Sequence, residues 1–316
     1  MRRRSFLLSS LALAACAAAP KAPSASSNAR RLTVTMDDPN LEETPRLAPG
    51  PRNAAILQTL AARKHRAALF VCGMRVDSPD GAALLGQWSA AGHMLGNHSY
   101  SHRYFHSEKM SVADFVAELE RGESVMRGYP GFRRRFRFPF LKEGDTVEKR
   151  DGARAALVAR GYGSGHVTID ASDWAFDSRL RKRLRREPAA DLTPFRDAYV
   201  AHMLDRARYY DDLARAALGK RISHTMLVHH SLLNALVLDD LLEAFAKEGW
   251  ALVDAEEAFS DPVFQRVPQV LPAGESLVWS IAKENPALAG RLRYPGEDDQ
   301  YEKTTLDRLE PAGEGS

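Results

Sequence analysis

His93-Met94-Leu95-Gly96-Asn97-His98-Ser99-Tyr100-Ser101-His102 is a short β-like run that passes directly into a segment carrying two imidazoles four residues apart. On a helical or tightly turned segment two such rings point the same way and can share one metal ion. A mononuclear centre with catalytic work to do takes three protein ligands and leaves a position for water. The pair therefore needs one more donor, a carboxylate by preference, from elsewhere in the chain. Taken alone, the spacing is weak evidence and more often marks two surface histidines than a metal site.

Outward from this stretch the same grammar recurs. Seven β-like runs, at residues 32–36, 67–72, 93–96, 135–138, 165–169, 225–228 and 251–253, alternate with helical patterns. The helices are expected at 53–64, 81–91, 112–127, 146–160, 194–218 and 238–247. Repeated βα units wind with one hand, so the pattern predicts an α/β fold: a seven-stranded, TIM-like (β/α) barrel or near-barrel with helices outside.

In such barrels the working residues sit at the C-terminal strand ends. Here strand one runs into Asp37-Asp38, strand three into His98 and His102, and strand four into Pro139-Phe140. Strand five runs into Asp170 and Asp173-Trp174, and strand six into His229-His230. Acid, base and metal-ligand types thus gather at one face, which turns the histidine pair from a spacing coincidence into a candidate site.

The chain has 316 residues, 44% of them apolar, enough for one large core. A formal charge of +3 with no concentrated basic motif gives no reason to expect nucleic acid as a partner. The first residues, Met1-Arg2-Arg3-Arg4-Ser5-Phe6 followed by an apolar run, read as an export signal too short to span a bilayer. Leu13-Ala14-Ala15-Cys16 resembles the bacterial lipobox, which implies a lipid on Cys16 and a membrane-anchored lipoprotein of the cell envelope, facing the periplasm or exterior. Arg3-Arg4-Ser5-Phe6-Leu7 is similar to a twin-arginine signal, so the export route stays open. Residues 1–16 are then signal peptide and 17–30 a flexible tether. Only Cys72 remains as a thiol in the mature chain, which excludes an intrachain disulfide and reads as a small buried hydrophobe.

Residues 179–186 hold six basic side chains in eight. They are expected to form a solvated, mobile excursion, with contact to an anionic polymer or lipid headgroups as the alternative. Residues 261–316, with one apolar patch at Leu277-Val278-Trp279, are expected to be an appendage packed on the barrel and a frayed tail.

Five stretches together resemble the polysaccharide deacetylases with a NodB-homology domain, carbohydrate esterase family four. They are Thr35-Met36-Asp37-Asp38, His98-Ser99-Tyr100-Ser101-His102, Arg137-Phe138-Pro139-Phe140, Asp170-Ala171-Ser172-Asp173-Trp174 and Leu227-Val228-His229. The resemblance implies a distorted deacetylase barrel over residues 31–260 and a divalent metal, usually zinc, on Asp38, His98 and His102. It further implies Asp37 as catalytic base held by Arg137, and His229 as catalytic acid oriented by Asp173. Phe140 would supply a main-chain donor to the oxyanion, and Trp174 and Leu227 would line the acetyl pocket. Met36, Phe140 and His230 stand where the family more often has Phe, Tyr and Asp, and Pro39-Asn40 replaces its usual glycine.

The expected function is removal of acetyl groups from an N-acetylated polysaccharide. A non-catalytic glycan-binding or assembly lipoprotein on the same barrel is the alternative, and a metal-binding protein without hydrolytic action a third. Neither of these explains why Asp37, Arg137, Asp173 and His229 accompany the metal-ligand set.

Overall fold

A computed structural model describes residues 29–293 and 299–310 of the chain. The export signal, Cys16 and nearly all of the expected tether lie outside the described residues. In chain order the elements are β1 (Arg30–Asp37), α1 (Pro49–Ala62), β2 (Ala68–Val71), α2 (Pro79–Ala90), β3 (Met94–Asn97), α3 (Val112–Met126), β4 (Phe132–Phe136) and β5 (Lys142–Gly144). Next come α4 (Val147–Ala159), β6 (Gly163–Ser164), α5 (Asp173–Arg186), α6 (Thr193–Leu218), β7 (Ser223–His229), α7 (Leu232–Lys247) and β8 (Trp250–Leu252). The C-terminal part supplies α8 (Ala255–Ala258), β9 (Ala273–Gly274), α9 (Leu277–Lys283) and α10 (Lys303–Leu309).

Seven strands form one all-parallel sheet in the order β6-β4-β3-β2-β1-β7, with β8 also paired to the start of β1. It curls into a distorted barrel wrapped by helices. The central strands are buried on both faces, as a helix-covered parallel sheet requires: Leu32, Val34, Met36, Leu69 and Val228 are all fully buried. β1 begins at Arg30, so the last residue assigned to the tether is already in the sheet.

The fifth expected strand, 165–169, departs from the pattern. Only Gly163–Ser164 pairs as a strand with β4, and Ile169 makes an isolated parallel bridge to Met226 of β7. Between these points a regular ladder gives way to a few main-chain bonds, with the Thr168 and Ile169 N–H groups both donating to the Thr225 carbonyl, supplemented by the Thr168 and Thr225 hydroxyls. Gly165 explains the irregularity. A Cβ there would stand 2.5 Å from the Phe70 ring and 2.6 Å from the Phe136 carbonyl, so the chain passes only as glycine.

Two helical expectations are corrected. The basic run 179–186 is no mobile excursion but the second half of α5, anchored by the buried pair Leu180 and Leu184 at helical spacing. α7 begins at Leu232, six residues before the expected start at 238, because Ser231 caps it by accepting from the Asn234 N–H at 3.2 Å.

The C-terminal part packs on the barrel through Leu277, Val278, Ile281 and Ala282 of α9, which lies against α6. Of the expected frayed tail, the described residues 299–310 carry α10, with Leu306 and Glu310 fully buried. β9 pairs antiparallel with β5, and the Glu275 N–H donates to the Leu141 carbonyl at 2.9 Å. The appendage thus grips the loop after β4, whose next residues bear on the candidate site.

Glu143, in β5, ties this loop to α4 through two hydrogen bonds from Arg154 at 2.8 and 2.9 Å. Burial pushes its carboxyl up, but the bonds from Arg154 and the nearby His166 outweigh burial and hold it at about 2, against an ordinary value of 4.5. A depressed carboxylate contributes stability above its unfolded pKa and loses it as pH falls toward the folded one. Glu143→Gln is therefore expected to flatten the loss of stability between pH 4.5 and about 2. Urea midpoints measured across that window for both proteins check it; parallel slopes would refute the assignment.

Candidate active site

The C-terminal ends of β1, β3 and β7 and the segments after β4 and β6 converge on a cavity of ≈ 430 Å³. Asp37, Asp38, His98, His102, Phe140, Trp174, Leu227 and His229 all line it, joined by Arg75, Leu141, Asp170 and Ala171. Arg137 and Asp173 stand directly behind these residues, so all ten expected site residues are brought together.

Asp37 and Asp38 leave the last turn of β1 in different directions because Asp38 takes a left-handed backbone, φ 56°. The Asp38 N–H reaches the Phe70 carbonyl at 3.2 Å, and the His230 N–H reaches the Asp37 carbonyl at 2.9 Å, so neighbouring strands fix both residues. The Asp37 carboxylate accepts from Arg137 Nη1 at 2.5 Å. Burial pushes the Asp37 carboxyl up and Arg137 pulls it back, leaving it raised to about 6.

Arg137 is itself 1% exposed. Its Nε donates to the Gly165 carbonyl at 2.8 Å and its Nη2 to the Thr35 hydroxyl at 2.9 Å, while the guanidinium lies 3.9 Å over the Phe70 ring. Its main chain serves the site as well: the Arg137 carbonyl accepts from His98 Nδ1 at 2.8 Å. A carbonyl can only accept, so Nδ1 carries the hydrogen and the Nε2 lone pair faces the cavity.

His98 and His102 sit on a tight turn rather than a helix, with Ser99 and His102 both at left-handed φ, 66° and 57°. Asn97 Oδ1 accepts from the Ser99 N–H at 2.9 Å, and Glu118 of α3 accepts from the Ser101 N–H and hydroxyl at 2.6 and 2.7 Å. The turn is thereby clamped to α3. Burial holds both imidazoles down at about 4, hence neutral at pH 7.

Ligand atoms of Asp38, His98 and His102 all lie within 4.8 Å of one another. Asp38 Oδ1 is buried with no hydrogen-bond partner, although Arg75 Nε stands 3.3 Å away in poor alignment. An orphaned carboxylate oxygen beside two neutral imidazoles, one aimed by a carbonyl, is a donor set that fits a divalent transition metal.

Across the cavity, His229 Nδ1 donates to Asp173 Oδ1 at 2.7 Å, and the His229 N–H donates to Oδ2 at 2.7 Å. Burial works against protonation, but Asp173, with Asp37 and Asp38 behind it, outweighs burial and raises His229 to about 10. The ring is therefore an imidazolium at neutral pH with Nε2 free to face the cavity. Phe140, at φ 54°, is held 4.6 Å from the His102 ring, and Trp174 at the first turn of α5 is 41% exposed. Leu227 lies on the floor.

Three supports were not read from the sequence. Asn234, in the first turn of α7, donates to Asp173 Oδ2 at 3.0 Å and to the His229 carbonyl at 2.9 Å. Thr35 relays between Arg137 and the Met226 carbonyl, which its hydroxyl reaches at 2.9 Å. Arg75 follows β2, and its signal was available: a C-terminal strand end without an assigned residue. His230 faces away from the cavity, its Nε2 donating to Asn53 Oδ1 at 3.0 Å, with burial lowering it to about 3. It is a neutral packing residue.

Residues 25–156 match the family model described as polysaccharide deacetylase, in agreement with the resemblance carried by the sequence motifs. No curated protein matches the chain. Among solved structures, a chitin deacetylase from the fungal pathogen Colletotrichum lindemuthianum aligns at 18% identity and TM-score 0.51, covering 73% of this chain and 88% of that one. A CE4 family pseudoenzyme from Bacillus anthracis aligns at 17% identity and TM-score 0.50, covering 73% of this chain and 66% of that one. At these identities the likeness is one of fold.

Arg137 and Asp37 are both almost fully buried, so removing the arginine strands a buried carboxylate. Arg137→Ala is expected to cost about 3–5 kcal/mol of stability at neutral pH, with Asp37→Asn recovering part of the loss in the double variant. Chemical denaturation of the four proteins of that cycle measures the coupling, and strict additivity would contradict it.

Proposed function

We propose, for a chain whose residues 25–156 match the polysaccharide deacetylases, that it is a metal-dependent hydrolase removing acetyl groups from an N-acetylated polysaccharide. The observation that supports this best is the opposition of two buried pairs, Asp37 with Arg137 and His229 with Asp173, across one cavity beside Asp38, His98 and His102. A glycan-binding protein has no need of a carboxylate raised to about 6 facing an imidazolium raised to about 10.

Asp38 and the Nε2 atoms of His98 and His102 would hold the metal, zinc by preference for one carboxylate and two imidazoles, and it would supply Lewis-acid polarisation and a lowered water pKa. Every proton in the reaction then has a carrier. Asp37 takes one from the water that attacks the acetyl carbonyl, and Arg137 keeps the carboxylate ionised and aimed. The Phe140 main-chain N–H meets the developing oxyanion. His229 gives its Nε2 proton to the departing amine, so that the C–N bond breaks to free amine and acetate rather than to an amide anion. Asp173 and Asn234 hold that ring in place, and Trp174 and Leu227 enclose the acetyl methyl. We further read the protein as exported and lipid-anchored at Cys16, acting in the cell envelope.

Asp37→Asn is expected to keep the metal and lose about 10²–10⁴ in rate, because the amide fits against Arg137 yet accepts no proton. Asp38→Asn is expected to lose the metal. Metal content and acetate release from N-acetylated oligosaccharides, measured side by side, test both; loss of metal in the first variant with full activity in the second would reverse the roles. For the anchor, Cys16→Ser is expected to move the protein out of the membrane fraction, and a wild type found wholly soluble would rule the lipid out.

A further inference from the structure

Helical geometry divides the basic run of α5 into faces. Arg179, Lys182, Arg183 and Arg186 share one face, and the C-terminal segment covers it. Arg179 reaches Asp307 and the Glu310 carbonyl, both at 2.8 Å, while Lys182, Arg183 and Arg186 approach the buried Glu310 carboxylate at 3.8, 3.9 and 2.7 Å. Leu180 and Leu184 fill the core. Arg181 and Arg185, four residues apart, are left on a third face.

That face lines a second cavity of ≈ 360 Å³. It adjoins the candidate active site and shares Asp38, Arg75, Trp174 and His229 with it. Of its carboxylates other than Asp38, Glu42 binds Arg181 at 3.2 Å, and Asp177 accepts from the Leu233 N–H at 2.9 Å with Arg181 3.8 Å away. Arg52 is committed to Asn40, Glu42 and Thr44 of the first loop. Arg185 is exposed and makes no hydrogen bond or ion pair with any described residue. Arg181 keeps a buried Nε without a partner.

We propose that this groove binds a carboxylate-bearing sugar adjacent to the acetylated one, with Arg185 and Arg181 on the carboxylate and Trp174 as the wall between the two units. The inference rests on the deacetylase reading and narrows its substrate to an acidic glycan. A planar guanidinium matches a carboxylate in a bidentate fork, and a partner that replaces water on an otherwise idle arginine adds affinity that a neutral sugar does not. The cationic rim also steers an anionic chain toward the cavity in a salt-dependent way.

The test uses two oligosaccharides of equal length, one of N-acetylglucosamine alone and one in which it alternates with glucuronic acid. Acetate release by the metal-loaded protein gives kcat/KM for each, and calorimetry on the metal-loaded Asp37→Asn variant gives binding without turnover. The acidic oligomer is expected to be preferred about tenfold in low salt, with the preference collapsing in 0.5 M NaCl, on the order of a 4 Å Debye length. Arg185→Ala is expected to remove most of that ratio and Arg185→Lys part of it, since Arg185 holds nothing else in place. Equal binding of the two oligomers, or a ratio unchanged in Arg185→Ala, overturns the groove assignment. Selective binding of the acidic oligomer with acetate released from neither overturns the deacetylase reading and leaves the groove; release from both without preference does the reverse.

Discussion

A full positive charge at the centre of a barrel is costly, and the arrangement around Arg137 is organised to offset that cost. Its guanidinium has an anion in Asp37, a carbonyl at Gly165, a hydroxyl at Thr35 and an aromatic face at Phe70. These partners come from β1, β2 and the chain after β6, so the contact that keeps the charge tolerable also sets the position of those segments relative to Arg137 at the end of β4. Gly96 and Gly165 take part by omission. A Cβ on either would stand 2.5 Å from the Phe70 ring, and the platform under the guanidinium would move. Because the Arg137 carbonyl also orients His98, one residue aligns the proposed base and one of the proposed metal ligands.

The barrel was legible because its strands are short apolar runs and because chemistry-bearing residues follow them at the same end. The residues of the candidate site were assembled through that rule and the five motifs rather than through any single spacing. What escaped were elements stabilised by distant partners. α5 carries only Leu180 and Leu184 as a helical stripe in its second half, and its charges are balanced by Glu310, 131 residues from Arg179. No window on the sequence sees both. Asn234 and Thr35 look ordinary in sequence, since an amide in the first turn of a helix and a strand threonine acquire a role only when Asp173 and Arg137 fold against them.

The C-terminal part illustrates how a scaffold can reach a site without touching it. β9 pairs with β5 immediately after Phe140-Leu141, and α10 covers the helix whose first turn holds Asp173 and Trp174. His202 of α6 meets Glu302 at 3.1 Å, and the Arg206 guanidinium reaches the Asp170 carbonyl at 3.1 Å, so the outer helices also bear on the segment before α5. Loops at a barrel mouth are ordinarily the least constrained part of such a fold. Here two of them are tied down from outside.

Among the non-glycine residues with left-handed backbone, Asp38, His102, Phe140 and Leu141 line one cavity, and Ser99 adjoins its His98. Each such residue costs about 1 kcal/mol or more, so together they consume a sizeable share of the ~5–15 kcal/mol that holds a typical domain folded. Folding and chemistry therefore pull in opposite directions at these positions. A chain relieved of its reaction would gain stability by accepting glycine there, and would lose the aim of the side chains in the same step. The backbone strain of the site is held in place by the rest of the barrel, and the aim of its side chains is easier to lose by local relaxation than by collapse of the fold.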